Sequence, residues 1–264
     1  MKRLIYQVYV GNPSRLYDHC VQSVKNYCDK HGIDHEVLKT PKLRIKPDVF
    51  LTNRSKESYE KHGGYLPIYE KENAFERFSD YDQIAIVDAD IYIRPDSPNI
   101  FDELNEDTEF AGVIEREMPI SEQYAKKIIN YSKMQYGMLH SNKSDFKPNQ
   151  LGFEFYNMGL MVMQKSITKY FKPNETPRDF IMRPEFKDFV DGQGAWKWST
   201  DQTLLNTWVK REKMKEQHLS WKYNALFKGV KDDKIKEAYF VHFFLKDLLP
   251  SRGENVNQLM KEIE

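Results

Sequence analysis

The sequence predicts an α/β fold, a mostly parallel, Rossmann-like central sheet flanked by helices, on three observations. A strand, a helix and a second strand follow one another within residues 3–38, the βαβ order that makes a parallel sheet with right-handed crossovers. Ile84-Ala85-Ile86-Val87 is a continuous apolar run, the mark of a central strand buried on both faces. Strand-like and helix-like segments then keep alternating toward the C-terminus without an internal repeat.

Residues 3–10 are rich in β-branched and aromatic side chains and stop at the turn signal Gly11-Asn12-Pro13. Ser14 is placed to cap a helix whose apolar positions, Tyr17, Cys20, Val21, Val24, Tyr27 and Cys28, recur every three or four residues. Gly32 suits its left-handed stop. Residues 33–38 read as a second strand and 41–66, with turn formers and mixed charge, as a loop. Pro67 to Phe78 reads as a helix with Ile68, Lys71, Ala74, Phe75 and Phe78 along one side. The strand at 84–87 follows, then strands at 110–114 and 155–163 and helices at 121–134 and 200–209, the last capped by Ser199 or Thr200. Residues 238–244 read as a late strand, and the final ten as a polar helical tail. Residues 165–198 form an irregular, aromatic-rich insertion.

At 264 residues the chain is long enough for one large domain or two small ones. Forty basic and forty acidic side chains cancel, which argues against a nucleic-acid binder. No run approaches the roughly 18 apolar residues of a membrane helix, and the basic N-terminus is too short and β-like for a signal peptide. Cys20 and Cys28 lie eight residues apart in one helix. That separation is about 12 Å at 1.5 Å per residue, beyond the ~7 Å that a disulfide tolerates. They are read as buried apolar fillers in a reducing, cytoplasmic protein. Neutral charge leaves the oligomeric state open.

The chemistry concentrates at Val87-Asp88-Ala89-Asp90-Ile91-Tyr92. Two carboxylates one residue apart stand where a buried strand runs out, the edge at which open α/β sheets bind ligands. In an extended chain residues i and i+2 point the same way, so both carboxylates can face one cation. Hard divalent ions such as Mg²⁺ or Mn²⁺ prefer such oxygen ligands and bridge them to substrate phosphates. A bare Asp-x-Asp is more often a solvated turn, but the apolar strand before it and the β-like Ile91-Tyr92-Ile93 after it oppose that reading here. His242, embedded in Tyr239-Phe240-Val241-His242-Phe243-Phe244, is the one histidine candidate for the same ion; its alternative is a core histidine bonded to a carbonyl.

Tyr81-Asp82-Gln83-Ile84-Ala85-Ile86-Val87-Asp88-Ala89-Asp90 resembles the Asp-x-Asp segment of GT-A glycosyltransferases, especially the family 8 group of glycogenin-like and lipopolysaccharide galactosyltransferase enzymes. Three further segments match in the same order. Phe155-Tyr156-Asn157-Met158-Gly159-Leu160 is similar to the family's "F-N-x-G" strand, Asp201-Gln202-Thr203-Leu204-Leu205-Asn206 to its "D-Q-x-x-L-N" helix start, and His242 to its late metal-binding histidine. The chain departs after that histidine: the family's glycine and Lys-Pro-Trp group are replaced by Phe243-Phe244-Leu245-Lys246-Asp247.

The resemblance implies a single GT-A domain over 1–264, with a nucleotide-binding half at about 1–115 and a donor-sugar and acceptor half at about 116–264. It implies a metal-dependent, retaining hexosyltransferase that moves a sugar from a nucleotide-diphosphate sugar, UDP-sugar ahead of GDP-sugar, to an acceptor hydroxyl of a glycan. Asp88, Asp90 and His242 would hold the metal, Mn²⁺ ahead of Mg²⁺. Tyr9, Val10 and Gly11 would seat the base, with Lys71, Asp88 and Lys246 on the ribose and diphosphate. Asn157 and Gly159 would lie near the donor sugar, with Asp201 and Gln202 as catalytic residues beside it. A helix lysine reaching solvent, a strand bulge and a dipole-matched helix N-terminus are the rival readings of Lys71, Asn157-Gly159 and Asp201. In the insertion, Trp196 and Trp198 stand just before Asp201 and are the first choice for an acceptor sugar; a small local core of aromatics is the equal alternative. Two other functions stay open: a sugar nucleotidyltransferase of related fold, which would normally show a glycine-rich phosphate loop unlike Gly11-Asn12-Pro13-Ser14, and a non-catalytic nucleotide- or sugar-binding protein.

Overall fold

The structure is a computed structural model that describes residues 1–11, 14–48, 60–141, 146–196 and 200–264. β1 (Arg3–Val8), α1 (Arg15–His31) and β2 (Asp34–Leu38) make the expected βαβ unit, β1 and β2 pairing in parallel. α1 buries Leu16, Cys20, Val24, Tyr27 and Cys28 along one side and stops at Gly32, whose φ of 64° is left-handed. Both cysteines are free and buried.

Downstream come β3 (Gln83–Val87), β4 (Ile91–Ile93), β5 (Phe110–Ile114) and helix α2 (Glu122–Ser141). The hairpin β6 (Pro148–Asn149) and β7 (Gly152–Phe153) precedes β8 (Tyr156–Gln164). Short helices α3 (Pro177–Ile181) and α4 (Lys187–Asp191) lead to α5 (Asp201–Arg211) and β9 (Glu216–His218). β10 (Ala225–Leu226), β11 (Phe240–His242) and α6 (Val256–Ile263) close the order. Among the described residues, six strands form one sheet in the order β2-β1-β3-β8-β5-β9. β8 is antiparallel to both β3 and β5, and the other five share one direction. β10, β11 and β4 form a second, smaller sheet. The apolar run Ile84–Val87 is fully buried at the sheet's centre, as a strand covered on both faces must be.

Four departures from the sequence reading matter. Pro67–Ser79 is helical, but of the 3-10 type, and it buries Glu70, Lys71, Glu72 and Asn73 as well as its apolar side. It is enclosed by β1 and β3 on one side and α3 on another, so it has no solvated face at these positions. Glu70 answers its burial by accepting the backbone N–H groups of Lys42, Leu43 and Arg44 at 2.8, 3.0 and 2.7 Å, which ties down part of the 41–66 loop. The insertion is built of short helices, and Phe180, Phe186 and Phe189 are buried; Phe180 meets Trp208 of α5 edge-on at 4.7 Å. The local aromatic core is therefore the reading that holds for these three rings. The tail helix is amphipathic rather than polar, burying Leu259 and Ile263 and packing on α1.

The fourth departure is in β8. Its pairing with β5 jumps from Gly112–Met161 to Val113–Asn157, leaving 158–160 unpaired on that side. This bulge frees the backbone of Met158 for side chains, and they come from the cleft described next.

Candidate functional site

A cleft of ≈ 700 Å³ opens where β1 and β3 end, where β8 begins and at the N-terminus of α5. This is the carboxyl edge of the parallel strands, where α/β sheets place their ligands. β3 continues its ladder one residue, the Asp88 N–H donating to the Gly159 carbonyl at 2.8 Å. The chain then turns, the Ile91 N–H reaching back to the Asp88 carbonyl at 3.1 Å, before β4 starts. The expectation of strand alternation at Asp-x-Asp is thus corrected. The two carboxylates converge because a tight turn folds them over one point.

β11 pairs antiparallel with β4 in a register that sets His242 opposite Ile91, and the Phe243 N–H donates to the Asp90 carbonyl at 2.9 Å. The imidazole Nε2 lies 3.3 Å from Asp90 Oδ1 and 3.8 Å from Asp88 Oδ2. One ligand atom from each of the three residues falls within 4.8 Å of the others. Burial works against the charge of Asp90, but His242 outweighs it and holds the carboxyl below the usual range. Burial likewise opposes a charged His242, and Asp90 outweighs it, raising the imidazole above its ordinary value. Asp90 Oδ1 is a buried oxygen that makes no hydrogen bond beyond its charged contact with His242, which leaves it able to take a cation. Two carboxylates and an imidazole are a donor set suited to Mn²⁺ or Mg²⁺.

Lys71 reaches the same floor from the 3-10 helix and is buried, so the solvent-facing reading fails. Its ammonium donates to the Met158 carbonyl at 3.0 Å and forms ion pairs with Asp88 Oδ1 at 2.9 Å and Asp201 Oδ2 at 2.8 Å. Burial disfavours its charge, but Asp201 and Asp88 outweigh that and hold the ammonium above the usual lysine range. Asp201 opens α5 and is buried; burial pushes its carboxyl up while Lys71 pulls it down. The N-cap is Thr200, whose side chain accepts the Gln202 N–H, while Ser199 lies outside the described residues. Gln202 accepts the Met158 N–H at 3.1 Å and donates to the Tyr131 hydroxyl at 3.3 Å. The bulge in β8 is therefore clamped by Lys71 and Gln202.

Gly159 is explained by His242. A Cβ there would stand 2.3 Å from the imidazole Cε1 and 2.6 Å from Nδ1, closer than any side chain permits. Its close approach is to the ring rather than only to a ligand. We expect Gly159→Ala to push the imidazole off Asp90 and weaken Mn²⁺ binding at least about tenfold, the loss typical of a misplaced ligand. Calorimetric titration checks this, and unaltered affinity would mean the ring does not depend on the glycine.

Asn157 lines the cleft, but its amide donates to Glu115 Oε2 at 2.7 Å and accepts the Gly159 N–H at 3.0 Å. Val10 also lines the cleft. Tyr9 points away, its hydroxyl donating to Asp18 at 2.9 Å, and neither it nor Gly11 is part of the lining. Lys246 stands outside the lining too, its ammonium 5.0 Å above the ring of Tyr17, which does line it. Trp196 lies apart from the cleft lining, edge-on to Phe189, and donates its indole N–H to the Gln135 carbonyl at 3.0 Å. Trp198 lies outside the described residues.

Sequence reasoning missed Glu115, Tyr124, Tyr131 and Asn224. Glu115 had a signal, since it follows the apolar strand 110–114 as Asp88 follows 84–87. Tyr124, Lys127, Ile128 and Tyr131 line the cleft from one side of α2 at helical spacing. Asn224 had none.

No protein-family model matches the sequence, and no curated protein matches it either. Solved structures do match. A glycosyltransferase involved in the glycosylation of the major capsid of PBCV-1 is 12% identical, with a TM-score of 0.55 over 97% of this chain and 100% of its own. The bifunctional glycosyltransferase WbbM is 11% identical, with a TM-score of 0.53 over 99% of this chain, which spans 49% of that larger protein. The galactosyltransferase LgtC, in complex with donor and acceptor sugar analogs, is 14% identical over 98% of this chain and 95% of its own, with a TM-score of 0.48. The five co-directional strands, the reversed β8 and the turn carrying Asp88 and Asp90, together with the likeness to the first two of these structures, identify the chain's fold as that of the GT-A glycosyltransferases.

Proposed function

We propose that the protein is a metal-dependent glycosyltransferase of the family 8 kind, moving a hexose from a nucleotide-diphosphate sugar to an acceptor hydroxyl of a glycan with retention. The observation that carries this reading is the convergence of Asp88, Asp90 and His242 on the floor of the cleft, inside a fold shared with glycosyltransferases. Asp88, Asp90 and His242 would hold Mn²⁺ or Mg²⁺, which would supply Lewis-acid neutralisation of the charge on a departing diphosphate, a contribution of several kcal/mol. Val8, Val10 and Tyr17 supply the apolar end suited to a base, and a UDP-sugar is the first donor to try. Lys71 holds Asp88 by one oxygen and leaves the other facing His242, so it orients a ligand as well as balancing charge. Asp201 and Gln202 flank the donor sugar, and positioning of the acceptor hydroxyl supplies much of the remaining rate. Residues of both halves, 1–115 and 116–264, line the one cleft, which favours a single catalytic domain. Two free cysteines suit a reducing, cytoplasmic compartment.

Thermal melts with UDP or GDP, with and without Mn²⁺, test the reading. A ligand at one hundred times its Kd adds about 2.7 kcal/mol of stability, and we expect nucleotide and metal together to raise the melting temperature more than either does alone. A melt indifferent to every nucleotide and metal pair would defeat the proposal.

A further inference from the structure

The tautomer of His242 follows from a chain of hydrogen bonds through Asn224, which sequence reasoning left unassigned, and Asn157. Asn224 is fully buried, and its amide nitrogen lies 3.2 Å from the Asn157 backbone carbonyl and 3.0 Å from Asn157 Oδ1. A backbone carbonyl only accepts, so the NH₂ of Asn224 faces it and the amide oxygen faces the other way. The second contact agrees. Asn157 Oδ1 also takes the Gly159 N–H at 3.0 Å, and a backbone N–H only donates. The oxygen of Asn224 then stands 3.0 Å from His242 Nδ1. That nitrogen must carry a proton, which leaves the Nε2 lone pair directed at Asp90 and Asp88. The far end is anchored as well, Asn157 Nδ2 donating to Glu115, whose other oxygen takes the Tyr124 hydroxyl at 2.5 Å.

We infer that Asn224 is a positioning residue: it transmits the polarity of the β8 backbone to His242, holding the Nδ1–H tautomer so that Nε2 faces the carboxylates as a ligand. This rests on the metal reading above only for its consequence. The tautomer itself can be measured without metal.

The deciding experiment is a long-range ¹H–¹⁵N correlation spectrum of metal-free protein labelled in its histidines. It is recorded above the ring's own titration midpoint, with His242 assigned through His242→Gln. The single ring proton should sit on Nδ1; a proton on Nε2 would overturn the inference outright. In Asn224→Leu, of similar size but unable to accept, the proton should redistribute to Nε2, and Mn²⁺ affinity, read from the free-ion EPR signal, should fall about 10–100-fold. Asn224→Asp restores an acceptor and should recover a large part of that affinity. A purely structural role predicts equal damage from Leu and Asp, and that outcome, or an Nδ1 proton and affinity unchanged in Asn224→Leu, removes the assignment. Should Asn224→Leu fail to fold, the spectrum of the unaltered protein still decides. Absence of Mn²⁺ binding in the unaltered protein would sink the metal reading while leaving the tautomer result to judge Asn224.

Discussion

Asp90→Ala is expected to abolish Mn²⁺ binding and to lower donor turnover by about a thousandfold or more, with the fold intact. The scale follows from losing the electrostatic stabilisation of the leaving group, several kcal/mol where each 1.4 kcal/mol is tenfold. The fold survives because the substitution removes one ion pair, with His242, and leaves the backbone hydrogen bonds of the turn and of the Phe243 N–H to the Asp90 carbonyl in place. The pH dependence separates the two effects. Asp90 has its folded pKa depressed from 3.8, so its contribution is present above that value and is lost as pH falls. His242 has its folded pKa raised from 6.5, so its contribution is full below 6.5 and is lost as pH rises through the raised value. Their pair therefore stabilises the metal-free protein chiefly between about pH 4 and 6.5. Urea midpoints of the two proteins should differ most in that window and draw together as pH rises through the raised value of His242, whereas turnover should differ at every pH. Retained metal-dependent turnover in Asp90→Ala would refute its place as a ligand.

Lys71→Met carries the second large effect, and it falls on stability as well as activity. It strands the carboxylate of Asp201, which is 1% exposed and has Lys71 as its ion-pair partner, and it unties Asp88 and the Met158 carbonyl. Removing one member of a buried pair costs about 3–5 kcal/mol. For a chain of this size that lowers the melting temperature by roughly 10 °C. The sign with pH is specific. In the unaltered protein the lysine's folded pKa is raised, so its contribution is complete at every pH below 10.5 and is lost only above it. In the variant, burial of Asp201 loses its main opponent, Lys71, and raises the carboxyl further. A raised carboxyl contributes stability below its unfolded 3.8 and loses it as pH rises, so the variant's deficit should shrink on acidification. Urea unfolding at pH 7.5 and pH 4.5 reads this directly. A deficit that stays constant across those values would show that Lys71 does not neutralise Asp201.

Several parts of this site were legible in the sequence because their signals are local. A buried strand ending in carboxylates, a histidine inside an apolar run, a glycine inside a strand and an acid at a helix start each announce themselves within ten residues. Other parts were not. Lys71 read as a helix lysine with two fates, and only the crowding of its helix between the sheet and α3 removed the solvated one. The aromatic insertion offered two equal readings, and Trp208, from a different helix, gathers Phe180 and Phe171 around it. Tyr9 and Val10 were indistinguishable as cleft residues until the backbone direction after β1 sent Val10 inward and Tyr9 toward Asp18.

By itself, then, the amino-acid order determined the α/β class, the buried strand that ends at Asp88 and Asp90, and the one histidine candidate for the same ion. Those outcomes rest on periodicity and on apolar burial, both of which act over a few neighbouring residues. Tertiary structure alone decided how the acids converge, by a turn rather than by strand alternation, and which nitrogen of His242 faces them. Hydrogen-bond direction is inherited from whichever backbone group a side chain meets. Asn224 meets the carbonyl of Asn157, sixty-seven residues away along the chain, a pairing written in no local pattern.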